Sequence, residues 1–137
     1  MSELARRCAE VMWANDAASR ALGMEIVAVG PGTCEMSMTI RDDMVNGWGM
    51  AHGGFIAALA DSAFAFACNS RGQVTVAAGF DISYLESARL GDVLVARAVE
   101  RALRGRSGLY DVTVTRGETV IAEFRGRSRS VGREIEL

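Results

Sequence analysis

The chain has no lysine and a single histidine, His52. All 15 basic side chains are arginine, so any phosphate contact would come from planar, bidentate donors rather than compact point charges. One imidazole excludes a histidine-rich metal site. Cys8, Cys34 and Cys68 are odd in number and scattered, without a CxxC or Cys/His cluster, so neither a disulfide framework nor a zinc site is expected. No metal and no cofactor are implied. Long apolar runs are also lacking: the most apolar stretch, residues 55–68, would span about 21 Å as a helix and contains Asp61. That is too short and too charged to cross a bilayer. The opening MSELARRCAEVMWAND has two arginines but no apolar segment behind them. A signal peptide is therefore not expected, and a reducing cytoplasmic compartment is. Repeats, low-complexity tracts and linkers are absent as well. The formal charge of −2 argues against nucleic acid or a membrane surface as partner.

What is present suits one globular domain, residues 1–137. Half the residues are hydrophobic, enough for a core without covalent staples. Leu4, Cys8, Val11 and Met12 recur at helical spacing, and a second helical turn over 17–22 stops at Gly23. Residues 24–29 and 33–40 read as strands joined by the turn Gly30-Pro31-Gly32, and 41–54 as a glycine-rich loop. FIAALADSAFAFACN follows, a helix with apolar residues on every side and hence a central, buried one. Strands are then predicted over 74–86, 92–103, 109–116 and 118–130, with tight turns at Arg104-Gly105-Arg106 and Arg116-Gly117-Glu118. Tyr110, Val112 and Val114 share one face, as do Val120, Ala122 and Phe124. The expected fold class is α+β: a short N-terminal helix, then an antiparallel sheet of five to six strands curled around one long helix, ending in a four-stranded meander.

Chemistry concentrates in residues 46–61. Gly53 and Gly54 sit where loop becomes helix, so free backbone N–H groups and the positive helix end point outward. Such amides suit a carbonyl oxygen that becomes negative during reaction. Asp61 lies about two turns further on among Ala and Phe. An ionised carboxylate there is costly unless it has a partner or a catalytic task; a structural role, capping a loop or pairing with an arginine across an interface, is the competing reading. His52 beside glycines reads first as a hydrogen-bonded structural residue. The spacing is decisive for assembly. Gly53 and Asp61 are about 12 Å apart along one helix axis, whereas a reacting carbon must lie roughly 3 Å from both oxyanion donors and nucleophile. Two antiparallel copies of the helix meet both conditions and one copy does not. If both features are catalytic, the enzyme is at least a dimer with shared sites. No GxSxG elbow, Walker loop or post-strand GxGxxG is present. The arginine-rich stretches 101–106 and 125–133 fit phosphate contacts, although solvated strand ends are the commoner use.

Asn46-Gly47, His52-Gly53-Gly54, Leu59-Ala60-Asp61, Ala63-Phe64-Ala65 and Ala67-Cys68-Asn69-Ser70 together resemble the signature of hot-dog-fold thioesterases. Within these the chain is most similar to the PaaI group, which acts on hydroxyphenylacetyl-CoA in bacterial phenylacetic acid degradation. Asn15-Asp16-Ala17, Ala21-Leu22-Gly23, Gly91-Asp92, Gly108-Leu109-Tyr110-Asp111 and Phe124-Arg125-Gly126 extend the likeness over nearly the whole chain. The resemblance implies an acyl-CoA thioesterase with Asp61 as catalytic carboxylate, the Gly53 amide as oxyanion donor and Asn46 as polar partner for water or carboxylate. It gives His52 a role in holding the thioester carbonyl or the loop, and Gly54, Phe64 and Gly79 a role in binding substrate. It also implies a coenzyme A thioester as partner and a homodimer with Asn46 and Gly53 in one subunit and Asp61 in the other, paired into a dimer of dimers. Aspartate rather than glutamate at position 61 favours the phenylacetate-type branch over the hydroxybenzoyl-CoA branch. Some relatives carry a strand Ser or Thr near the attacking water, where this chain has Ala78 and Gly79. Two rivals fit less well. Hot-dog hydratases carry a D-x-N-P-x-H type motif that is absent, and acyl-CoA sensors usually add a DNA-binding helix-turn-helix.

Overall fold

A computed structural model of the chain describes residues 2–137; Met1, the first residue of the expected domain, lies outside the described residues. The elements run α1 (Ser2–Asn15), α2 (Ala17–Ala21), β1 (Glu25–Gly30), β2 (Thr33–Thr39), α3 (Gly53–Cys68), β3 (Gln73–Tyr84), β4 (Val93–Arg104), β5 (Ser107–Arg116) and β6 (Thr119–Glu134). Asp16 caps α2 by accepting from the Ser19 amide at 2.9 Å, which satisfies an orphan donor of its first turn. The Ser19 hydroxyl also meets that of Ser62 at 2.8 Å and so ties α2 to α3.

The six strands form one antiparallel sheet in the order β1-β2-β4-β5-β6-β3. The expected four-stranded meander is therefore only three strands long. β3 pairs with β6 and not with β4. Helix α3 carries the chain from β2 across the sheet to its far edge, and no tight turn leads from β3 to β4. Residues 85–92 instead return along the end of the sheet. There the Asp92 carboxylate accepts from the Arg89 amide and from Arg116, at 2.9 and 3.1 Å, and the Gly91 amide donates to the Ile40 carbonyl at 2.8 Å. Within this meander the hairpins close at Gly105 and Gly117, both at φ 58°, a left-handed conformation that glycine adopts without strain.

A second correction concerns β3. Unbroken alternation from Val74 to Tyr84 would put Val76 and Phe80 on one face. A bulge between Ala77 and Gly79 reverses the count, so Val76 pairs with the outward Arg129 and Phe80 with the inward Gly126.

The concave face of the sheet carries Met36, Met38, Leu94, Ala96, Ala98, Tyr110, Val112, Val114, Ala122 and Phe124, all buried. They close on α3 through Ile56, Leu59, Ala60, Ala63, Phe64, Phe66 and Ala67. The helix is not buried all round, as its composition alone suggests. Gly54, Ala57, Ala58, Asp61, Ser62 and Ala65, at i, i+3, i+4, i+7, i+8 and i+11, form a stripe that is only half-buried or exposed. At the C-terminal end, the Asn69 side chain donates to the carbonyls of Ala65 and Thr75 and accepts from the Thr75 amide, each at 2.9 Å. Asn69 thereby welds α3 to β3.

Small residues set the distance between helix and sheet. A Cβ at Gly126 would lie 2.8 Å from the Phe64 ring, which also packs against Tyr110 and Phe124 with centroids 5.5 and 5.8 Å away. Gly126→Ala is expected to cost about 1–3 kcal/mol by overpacking. Chemical denaturation would show a lowered midpoint; an unchanged midpoint would contradict this packing.

Candidate active site

The loop entering α3 is organised by Asn46. Its Oδ1 accepts from the amides of Trp48 and Met50 at 2.8 and 3.1 Å, and its own amide donates to the Met50 carbonyl at 2.7 Å. Its Nδ2 has no acceptor among the described residues, and Asn46 borders a cleft of about 510 Å³. The His52 amide donates to the Met44 carbonyl at 2.8 Å, which fixes the point where helix begins. The His52 imidazole is exposed and makes no capping bond. Helix α3 starts at Gly53 rather than at the expected Phe55. The amides of Gly53 and Gly54 have no acceptor among the described residues, and the helix end adds positive potential to both. Position 53 also packs closely: a Cβ there would lie 2.8 Å from the Tyr84 ring and push it aside.

The cleft is bordered by Asn46, Met50, Gly53, Ile56, Tyr84 and Leu85. It thus offers an apolar wall beside unpaired amides, suited to a carbonyl compound with an apolar tail. Asp61 does not border it. The helix is continuous from Gly53 to Cys68, so the carboxylate lies about 12 Å along the axis from the Gly53 amide. Asp61 sits half-buried in the small-residue stripe, and burial pushes its carboxyl above the usual aspartate range. It caps no loop and has no hydrogen-bond or ion-pair partner among the described residues. An unpaired, partly desolvated carboxylate at a surface is a more effective base than a solvated one.

The other sequence-predicted residues lie apart. Gly54 is exposed at the helix start. Phe64 is buried between sheet and helix. Gly79 sits at the β3 bulge, where a Cβ would meet the Arg127 guanidinium at 2.8 Å. Of the arginines in the stretches 101–106 and 125–133, Arg101 and Arg125 both pair across strands with Asp111 and Arg127 with Asp81. Among the described residues no group of three His, Cys, Asp or Glu side chains could hold a metal. Sequence reasoning missed Tyr84. Its hydroxyl donates to the Gly53 carbonyl at 2.7 Å across 31 positions of sequence; the only local signal was its place in the apolar alternation of β3.

Residues 49–123 match the thioesterase superfamily. The chain belongs to that superfamily. This thioesterase is 39% identical to the acyl-coenzyme A thioesterase PaaI of Escherichia coli K12 over 136 residues, which cover 98% of this chain and 97% of that protein. The solved structure of E. coli PaaI, from the phenylacetic acid degradation operon, matches with a TM-score of 0.96 at 38% identity, over 98% of this chain and 99% of that one. A Streptococcus mutans protein solved with acetyl-CoA bound matches with a TM-score of 0.78 at 26% identity, covering 82% and 91% of the two chains. The thioesterase has the hot-dog fold, six antiparallel strands around α3.

Proposed function

We propose that this thioesterase hydrolyses aryl-acyl-CoA thioesters, phenylacetyl- or hydroxyphenylacetyl-CoA, to the free acid and coenzyme A. The observation that carries the reading is Asp61: an unpaired carboxylate raised by burial, on the same helix as the Gly53 amide but about 12 Å from it. The full-length similarity to E. coli PaaI supports the acyl class.

The active unit is a dimer in which α3 of one subunit runs antiparallel to α3 of the other. Two features favour this face. The glycine and alanine stripe around Asp61 lets a second helix approach closely, and β3 is an open sheet edge with Val76, Phe80 and Tyr84 at 49%, 41% and 47% exposure. An apolar, unpaired edge beside a small-residue helix face is a surface built to be covered. The dimers pair again into a tetramer.

In the shared site the thioester carbonyl accepts from the Gly53 amide. Asn46 orients the attacking water or the carboxylate, and His52 steadies the loop. Asp61 of the partner subunit removes a proton from water or attacks the carbon itself. On either route the carbonyl oxygen becomes an oxyanion at Gly53 and the C–S bond breaks to release the CoA thiolate, which takes up a proton; on the direct route water then hydrolyses the acyl-Asp61 anhydride to the free acid. Gly54 borders the acyl side, Phe64 supports that stretch of α3 from inside the core, and Gly79 leaves the β3 bulge without a side chain of its own. No cofactor takes part. Among the described residues no helix is long and apolar enough to cross a membrane.

A thiol-release assay across phenylacetyl-, hydroxyphenylacetyl-, benzoyl- and straight-chain acyl-CoAs tests this. The aryl-acetyl substrates are expected to give the highest kcat/KM. The acid limb is expected above the ordinary aspartate range, because the working form of Asp61 is ionised and its carboxyl is raised. Faster turnover of straight-chain substrates would refute the acyl class; tight binding without thiol release would refute hydrolysis.

A further inference from the structure

We infer that Tyr84 is a positioning residue that strengthens the Gly54 amide as a second oxyanion donor, acting through its hydrogen bond to the Gly53 carbonyl. The inference rests on the thioesterase reading above and deepens it. The Tyr84 hydroxyl donates to the Gly53 oxygen at 2.7 Å. That oxygen and the Gly54 N–H belong to one peptide unit. A donor on the carbonyl draws electron density toward oxygen and leaves the N–H at the other end more positive, the cooperative effect of chained hydrogen bonds. The Gly54 N–H has no acceptor among the described residues, so the added polarity is available to a ligand. Gly54 has nothing within 4 Å of where a Cβ would stand, while Gly53 is covered by the Tyr84 ring. Gly53 thus packs under the Tyr84 ring, while the space around Gly54 is open.

Tyr84 is itself well anchored. It is the last residue of β3, and the next two amides, of Leu85 and Glu86, both donate to the Ile121 carbonyl at 2.8 and 3.3 Å. The sheet therefore sets the position of the helix end. Burial pushes the phenol above its ordinary value, which keeps it protonated and donating through neutral pH. The ring also walls the same cleft as Asn46 and Gly53.

Tyr84→Phe keeps the ring and removes the donor. It is expected to lower kcat about fivefold with KM within about twofold, as suits an interaction that matters most once the oxyanion forms. Melting temperature and oligomer mass are expected to stay unchanged. In amide-resolved NMR of the full-length protein, the Gly54 proton resonance is expected to move upfield in the variant. Wild-type kcat in Tyr84→Phe would overturn the inference, as would a loss of rate that merely follows loss of folded protein. If the wild type cleaves none of the thioesters, the functional reading fails separately; an unmoved Gly54 resonance then overturns the polarisation by itself.

Discussion

Asp61→Asn is expected to lower thioester turnover by about 10²–10⁴-fold, the range that a positioned proton-transfer group contributes. The same change is expected to raise the melting temperature near neutral pH. Both effects have one cause. Burial without a partner holds the Asp61 carboxyl above the usual range, so the folded protein binds a proton more tightly than the unfolded chain does. Stability then falls as pH rises from the ordinary aspartate range through the raised folded value, and the penalty is fully present above it. Asparagine is neutral and has nearly the same shape, so it removes the penalty together with the base. The stability gap between variant and wild type should close on acidification below the ordinary range. Hydrolysis at near wild-type rates by a folded Asp61→Asn protein would remove the carboxylate from the mechanism.

The second large effect is recovery of activity by mixing two dead proteins. Gly53→Val is expected to be inactive, because a Cβ at 53 already meets the Tyr84 ring at 2.8 Å and a branched side chain there, with the ring it pushes aside, crowds the cleft beside the amide. Asp61→Asn is inactive for its own reason. In a hybrid dimer one site joins a normal Gly53 to a normal Asp61 and the other has both defects. Random exchange makes half the dimers hybrids, so co-refolded protein should recover about a quarter of the wild-type rate. A site contained in one chain would recover nothing. The result bears directly on the helix geometry, since about 12 Å of continuous helix separates the two groups within a chain and no rearrangement of side chains closes that gap.

Much of this was legible from residue order because it is local. Alanine spacing marks α3, glycine at positive φ marks the hairpins at 105 and 117, and helical rise alone separates Gly53 from Asp61. Periodicity also placed Tyr110, Val112 and Val114 on one buried face. The order of the strands was not legible. A repeat of two identifies a strand but carries no label for its neighbour, so chain order points β3 to β4 although the α3 crossover delivers it to β6. The bulge at 77–79 was hidden for a related reason: an extra residue without turn chemistry leaves the alternation looking intact.

The amino-acid order by itself determined the buried helix, the glycine-lined entry to it and the carboxylate two turns along, because each follows from the geometry of a single helix. Only the tertiary structure decided which helix face stays uncovered, where Phe64 is buried, and that Tyr84 caps Gly53 from 31 residues away. Those features depend on how the sheet curls around α3, and curl comes from packing between distant segments, which no local pattern encodes.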